Sequence, residues 1–165
     1  MEITFLGATG TVTGSKYLIV SGSKKVLVDC GLFQGFKQLR LRNWESLPIS
    51  PAEIDAIILT HAHLDHSGYL PLLINEGFSG KNYCTAGTRD LCAILLPDSG
   101  HLQEEDADHA NKHRYSKHAP ALPLYTQQDA ERSLRYFSPV DFNRDFDVGG
   151  GLTARLLPAG HILGS

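Results

Sequence analysis

The feature that most constrains this chain is a histidine-rich run that directly follows a buried strand. Residues 54–59 are almost continuously apolar, as expected of a strand covered on both faces of a sheet. They lead into the run THAHLDH at residues 60–66, after which helical periodicity resumes and continues to Ile74. A strand, loop and helix in this order predict a layered α/β fold with the histidines on the connecting loop.

The spacing within this run is that of metal ligands. Residues two apart in an extended backbone point to the same side, so we expect His61, His63 and Asp65 to converge while His66 turns with the incoming helix. Imidazole and carboxylate groups suit Zn²⁺, and four such groups could serve two adjacent ions. His161, which follows a predicted strand, is the natural distant partner. Without a cation, these groups would desolvate and repel one another when buried, so the run predicts a metal site.

The remaining histidines favour an ordinary solvated surface. His109 and His113 are four apart and could face each other on a helix, but charged residues of both signs surround them. Lys112, Arg114 and Lys117 in the same stretch could approach a phosphate backbone, although acidic residues lie beside them. A second metal site in this stretch is therefore the weaker interpretation.

The rest of the chain alternates strand and helix signals. Three β-branched or alternating runs near the start, at residues 2–5, 17–20 and 26–28, predict an antiparallel meander. The segment 34–44 predicts a short exposed helix or lid. Pro97 and Gly100 predict that the stretch from residue 88 to about 117 is broken into two helical pieces. Further strands are predicted at residues 137–142 and 152–158.

Composition excludes several classes of protein. The chain has 165 residues, of which 42% are apolar and 20% charged, so it is neither disordered nor a small disulfide scaffold. A formal charge of −3 offers a polyanion no net attraction, and nucleic-acid binding would need a local patch. No apolar run approaches the roughly 18 residues of a membrane span. Three cysteines without a CxxC pair indicate a reducing compartment, so we expect a cytoplasmic protein without a membrane partner.

The motifs resemble those of a known family. The run at residues 60–66 resembles the metal motif of the metallo-β-lactamase superfamily. Three further segments resemble its β-CASP branch of RNA-processing nucleases, which is related to the cleavage and polyadenylation endonuclease: GATGTVTGS at 7–15, DCGLFQG at 29–35 and GHILGS at 160–165. The resemblance implies an αββα sandwich that is incomplete. Residues 1–165 would form the N-terminal portion of the domain, without its second half and without the β-CASP domain.

The resemblance also implies roles for individual residues. It implies two zinc ions per complete active site, with the ligands divided between them: His61, His63 and His161 for the first, and Asp65 and His66 for the second. Asp65 would also be catalytic, because it would orient the attacking hydroxide. Asp29, at the end of an apolar strand, would support the site from behind the ligands.

The activity implied is hydrolysis of RNA phosphodiester bonds by a metal-activated hydroxide, with RNA as the partner of the intact protein. An aspartate that bridges both metals in the family and a further histidine have no match in these residues, which leaves the activity of the 165-residue chain open. A homodimer is compatible with this interpretation. Two alternatives stay open: a superfamily hydrolase of a thioester, lactone or other small ester, and a non-catalytic partner of an active nuclease.

Overall fold

The computed structural model describes residues 1–165, which form a six-stranded mixed sheet, a two-stranded sheet and a layer of helices. The strands are β1 (Glu2–Phe5), β2 (Tyr17–Ser21), β3 (Lys24–Val28), β4 (Ala56–Ile58), β5 (Lys81–Cys84), β6 (Phe137–Pro139), β7 (Asp145–Gly149) and β8 (Leu152–Arg155). The helices are α1 (Lys37–Leu41), α2 (Leu64–Ser67), α3 (Leu70–Asn75), α4 (Ala86–His113) and α5 (Gln127–Ser133). Short 3₁₀ turns lie at Arg42–Trp44, Pro51–Glu53 and Leu134–Tyr136.

The large sheet runs in chain order from β1 to β6. The predicted meander is confirmed, because β1, β2 and β3 pair antiparallel. From β3 onward the pairing is parallel, so the carboxyl ends of β3, β4, β5 and β6 meet at one edge of the sheet. The loops that follow these strands can therefore bring together side chains that are far apart in sequence.

The two faces of the large sheet are covered differently. Leu27 and Ile57, which are paired neighbours on β3 and β4, face the helices within a core of 18 buried residues. The flanking pair Val26 and Ala56 points to the opposite face, as alternation along a strand requires, and packs with Val148 of β7. The layers are therefore helix, sheet and sheet, and the α/β prediction is confirmed. No helix in the structure is both long enough and apolar enough to cross a bilayer.

The prediction that α4 would be two pieces is wrong. The helix runs without interruption for 28 residues and includes Pro97 in its interior. A proline there removes one backbone hydrogen bond and costs about 3 kcal/mol. Cys92 and Leu96 on one side of it are fully buried in the core, and Gly100 on the other side abuts the backbone of Thr126. Packing on both flanks outweighs the local cost.

Two predicted strands are shorter than expected. The strand predicted over residues 137–142 ends at Pro139, and the one predicted over residues 152–158 ends at Arg155. The backbone N–H of Asn143 donates to the carbonyl of Leu156, so the two segments are still joined beyond the strands. The segment 34–44 forms the short helix α1 and a 3₁₀ turn, as predicted.

Asn82 in β5 generates a prediction about stability. The side chain is fully buried opposite Ile57 of β4, yet neither its amide oxygen nor its amide nitrogen has a hydrogen-bond partner in the protein. A buried amide without partners costs about 1–3 kcal/mol. We expect Asn82→Leu, which has a similar shape, to raise the free energy of unfolding by about 1–2 kcal/mol, measured by urea denaturation. Asn82→Asp is the matched control, because its buried charge should lower stability. A loss of stability in Asn82→Leu would contradict the prediction.

Candidate metal centre

Three histidine side chains meet at the carboxyl edge of the large sheet. His61 and His63 lie on the loop that follows β4, and His161 comes from the loop that follows β8. The Nδ1 atom of His63 lies 3.1 Å from Nε2 of His61 and 3.2 Å from Nε2 of His161. One ring nitrogen from each side chain lies within 4.8 Å of the other two. Two neighbours in sequence and one distant residue therefore present three nitrogen atoms to one point.

The donor set fits zinc. Four-coordinate zinc has Zn–N distances of about 2.0–2.1 Å, which places ligand nitrogens of a tetrahedron roughly 3.3 Å apart. The two contacts at His63 are close to that value. Burial, together with the neighbouring His66, lowers the pKa of His61 to about 4, so this ring is neutral at pH 7. A neutral imidazole offers the lone pair that a metal ion needs.

Thr60 sets the orientation of the His61 ring. Its hydroxyl lies 2.9 Å from Oδ1 of Asp29, to which it can only donate. The same hydroxyl oxygen lies 3.0 Å from Nδ1 of His61 and can accept the proton of that nitrogen. This tautomer leaves the Nε2 lone pair of His61 directed at His63 and His161.

Asp29 is a buried carboxylate that joins three loops. It accepts hydrogen bonds from the hydroxyl of Ser15 at 3.1 Å, from the backbone N–H of Thr60 at 2.9 Å and from Nδ1 of His66 at 2.7 Å, in addition to the Thr60 hydroxyl. Its backbone has φ +59°, in the left-handed region that aspartate tolerates better than most residues. Burial acts to lower the pKa of His66, but the hydrogen bond and charge of Asp29 outweigh it, so that pKa lies above its usual 6.5.

Backbone contacts hold these loops at close range. The N–H groups of Cys30 and Leu32 donate to the carbonyls of His66 and Leu64, and the N–H of Ser15 donates to the carbonyl of Asp65. A Cβ atom on residue 31 would lie 1.6 Å from the Asp65 carbonyl oxygen, so only glycine fits there. The segment after β3 therefore lies directly against the histidine loop.

Lys16 supports the same segment from inside the protein. It is almost fully buried, and its ammonium group donates to the carbonyl of Gly31. The ammonium nitrogen also lies 4.7 Å from the ring centroid of Phe33 and 4.3 Å from that of Tyr69, as in cation–π contacts. Burial lowers the pKa of Lys16 to about 8.

Asp65 and His66 form a second group beside the three histidines. Sequence spacing predicted that Asp65 would share an extended backbone with His61 and His63, but α2 begins at Leu64 and the extended stretch ends at His63. Asp65 lies instead beside His66, with 3.7 Å between its Oδ2 and the His66 Nε2. The ring centroids of His61 and His66 are 4.0 Å apart, so the two groups of side chains are in contact.

The loop that carries His161 is attached to the start of α4. The hydroxyls of Thr85 and Thr88 donate to the carbonyl of Gly164 at 2.6 Å and 3.1 Å. Gly164 has φ +81°, and a Cβ atom there would lie 2.2 Å from the backbone nitrogen of Thr88. The first turn of α4 therefore fixes the position of the only distant histidine in the cluster.

Sequence reasoning did not assign roles to four of these positioning residues. Ser15 belongs to the glycine-rich segment 7–15, and Thr60 begins the histidine-rich run. A hydroxyl next to a histidine ligand could have indicated that it orients the ring. Thr85 and Thr88 had no such signal, since their partner is 79 and 76 residues away in the chain.

The other four histidines lie outside this centre. His109 and His113 do face each other on α4, with ring centroids 4.3 Å apart, and His101 lies 3.5 Å from Glu105. All are exposed, as is His118. Among groups of three or more histidine, cysteine, aspartate or glutamate side chains, only His61, His63 and His161 bring their ligand atoms together.

Comparison with known proteins agrees with the architecture of this centre. Residues 9–84 match the metallo-beta-lactamase superfamily, and this segment includes the histidine run and Asp29. Over these residues the chain is a metallo-beta-lactamase superfamily domain. Among solved structures, the S60 mutant of a HARLDQ-motif metallo-β-lactamase from Cronobacter sakazakii gives a TM-score of 0.50 at 20% identity, over 90% of this chain and 46% of that one. The subclass B3 enzyme MEM-A1 from a soil metagenome gives 0.50 at 18% identity, over 93% and 50%. These similarities show the shared fold.

Two curated relatives match this chain over its full length. The protein named ribonuclease TTHA0252 from Thermus thermophilus is 36% identical over 165 residues, which are 100% of this chain and 34% of that protein. The protein named transcription termination factor FttA from Methanocaldococcus jannaschii is 30% identical over 165 residues, again 100% of this chain and 24% of that protein. The chain thus spans about a third and about a quarter of their lengths.

Asp29 provides a direct test of how the centre is supported. In Asp29→Asn an amide faces the donors that now contact a carboxylate, while asparagine still tolerates the positive φ. We expect zinc affinity, measured by competition with a chromophoric chelator, to fall about 10- to 100-fold. Asp55→Asn is the control, because Asp55 accepts hydrogen bonds from Lys24 and Lys25 away from the centre. Equal zinc affinities in the two variants would refute this role.

Thr85 provides a test of the attachment of the His161 loop. Thr85→Val removes the hydroxyl that holds Gly164, and Thr85→Ser keeps it. We expect the valine variant to bind zinc as weakly as His161→Ala, and the serine variant to bind it like the unmodified protein. In the His161→Ala background, Thr85→Val should have no further effect, because the ligand it positions is gone. Additive losses would show that Thr85 acts by another route.

Proposed function

We propose that the protein is a zinc-dependent ribonuclease of the β-CASP branch, which hydrolyses RNA phosphodiester bonds in the cytoplasm. The observation that carries the proposal is the convergence of His61, His63 and His161, with nitrogen spacings that suit tetrahedral zinc. RNA as the substrate class is supported by the names of the two curated relatives, a ribonuclease and a transcription termination factor. Since the chain spans only part of each, the activity of the whole protein is part of the proposal.

The donors divide into two sets that could hold two ions. His61, His63 and His161 would hold the first, and Asp65 with Nε2 of His66 would hold the second. Zinc at these positions supplies Lewis acidity, which lowers the pKa of a water molecule and neutralises charge on a phosphodiester.

The chain's own residues prepare these donors for binding. Thr60 fixes the tautomer of His61, and Asp29 holds the Nδ1 proton of His66, so each ring presents Nε2 to the centre. The carboxylate of Asp65 is half-buried beside them. We assign it the task of accepting a hydrogen bond from the attacking water and so orienting it.

A small-ester hydrolase is the second candidate. The specific observation in its favour is that the solved structures similar to this chain include metallo-β-lactamases. These similarities concern the fold alone, whereas the curated relatives match every residue of the chain at 30–36% identity. RNA is therefore the substrate class we propose.

The first experiment measures zinc on the purified 165-residue protein and hydrolysis on the whole protein. We expect at least one equivalent of zinc per chain by elemental analysis, lost in His61→Ala and in His161→Ala. From the whole protein we expect cleavage of a fluorophore- and quencher-labelled single-stranded RNA, lost on chelation and in His63→Ala. His109→Ala is the matched control, since this exposed histidine lies outside the centre.

The outcomes separate the alternatives. Turnover of a thioester or lactone with no effect on RNA would replace the ribonuclease proposal with the ester hydrolase. Absence of zinc and of hydrolysis of any of these substrates in the whole protein would favour a non-catalytic partner of an active nuclease.

A further inference from the structure

The segment of residues 36–44, which comprises α1 and the 3₁₀ turn after it, is a cationic surface on an acidic protein. Lys37, Arg40 and Arg42 lie within six residues, and the nearest acids in sequence are Asp29 and Glu45. None of the three cations forms an ion pair, since every ion pair of the chain lies elsewhere. Their charges are therefore free to neutralise phosphates.

Two aromatic side chains flank these cations. Phe36 is 79% exposed and Trp44 is 60% exposed, at the beginning and the end of the segment. Single exposed apolar side chains are ordinary in folded proteins, so the informative observation is that these two lie beside three unpaired cations. Aromatic rings interleaved with cations are what single-stranded nucleic acids bind, because bases stack on the rings while phosphates contact the charges.

The segment forms one wall of a groove that borders the histidine-rich run at Leu64. The groove has a volume of about 840 Å³, and Lys37, Arg40 and Trp44 line it. Its floor includes Leu64, the residue between His63 and Asp65. None of the proposed ligands lines the groove itself, so a strand lying in it would come next to the histidine-rich run at Leu64.

The groove wall is fixed relative to the centre. The buried side chain of Asn43 accepts from the N–H of Phe33 and donates to its carbonyl, both at 2.8 Å. The guanidinium of Arg42 lies 4.1 Å from the centroid of the Phe33 ring. Phe33 belongs to the segment that begins at Asp29, so the cationic wall and the histidine loop are attached to the same piece of backbone.

Further cations lie near the other end of the groove in sequence but outside its lining. Tyr115 lines it, and Lys112, Arg114 and Lys117 are its sequence neighbours, again without ion pairs. The α4 wall opposite residues 36–44 is different, because Asp98 and Asp106 line it. The phosphates of a bound strand must therefore follow the cationic wall.

We infer that this groove binds single-stranded RNA next to the metal centre, with phosphates on Lys37 and Arg40 and a base stacked on Trp44. The inference rests on the proposed ribonuclease function and identifies where its substrate binds. The test measures RNA binding without hydrolysis, so the two can fail separately.

The experiment uses fluorescence anisotropy of a labelled single-stranded RNA of about twelve nucleotides, with the 165-residue protein in chelator and at several salt concentrations. We expect Lys37→Gln with Arg40→Gln to weaken binding and to reduce the slope of log affinity against log salt by about 1.4, since each phosphate contact contributes about 0.7 on a single strand. Trp44→Ala, which removes the exposed aromatic ring that lines the groove, should weaken binding about tenfold.

Two further variants serve as matched controls. Lys81→Gln with Arg135→Gln removes the same charge from exposed cations that do not line the groove, and should leave affinity and slope nearly unchanged. Asp98→Asn with Asp106→Asn removes the acids of the opposite wall and should tighten binding. Equal effects of the Lys37/Arg40 and Lys81/Arg135 double substitutions would overturn the proposal that RNA binds in the groove, because the change in net charge alone would then explain both. RNA cleavage that persists beside that result would leave the ribonuclease proposal standing.

Discussion

The centre of this protein depends on the buried carboxylate of Asp29. An unpaired carboxylate at this depth would be costly, and here the cost is offset by donors from three separate loops. Each donor belongs to a segment that the site needs: Ser15 to the glycine-rich loop, Thr60 to the turn after β4, and His66 to α2. The burial of one charge thus determines how three loops are placed, and the histidine geometry follows from that placement.

The glycine-rich loop contributes to this arrangement without resembling a nucleotide site. Its last residues carry Ser15 and Lys16, one of which reaches Asp29 while the other reaches the carbonyl of Gly31. A hydroxyl and an ammonium group from two adjacent residues therefore hold adjacent parts of the segment that begins at Asp29. The glycines before them allow close approach, since a Cβ atom on residue 14 would lie 2.4 Å from the ring of Phe33.

Sequence predicted the parts of this structure that local pattern controls. Alternation of polar and apolar residues predicted the antiparallel meander. The apolar run before residue 60 predicted that the histidine loop follows a buried strand, and that strand is β4. The break predicted at Pro97 was wrong because the burial of Cys92 and Leu96, which are fully removed from solvent, outweighs the cost of a proline inside a helix. The positions of Thr85 and Gly164 could not be predicted, because their contact depends on the whole fold between them. The groove beside residues 36–44 escaped for the same reason: its second wall comes from a helix more than fifty residues later.

The distance in sequence between the two sides of the histidine cluster has a consequence for folding. His63 and His161 are 98 residues apart, yet their ring nitrogens lie 3.2 Å from each other. A cation shared by them closes a loop that contains β5 and β6 of the large sheet, the whole two-stranded sheet and all of α4. In the unfolded chain, closing a loop of this size is costly, so ligand binding and folding are a single linked equilibrium. Metal affinity in this protein is therefore also a measure of how completely residues 63–161 have folded.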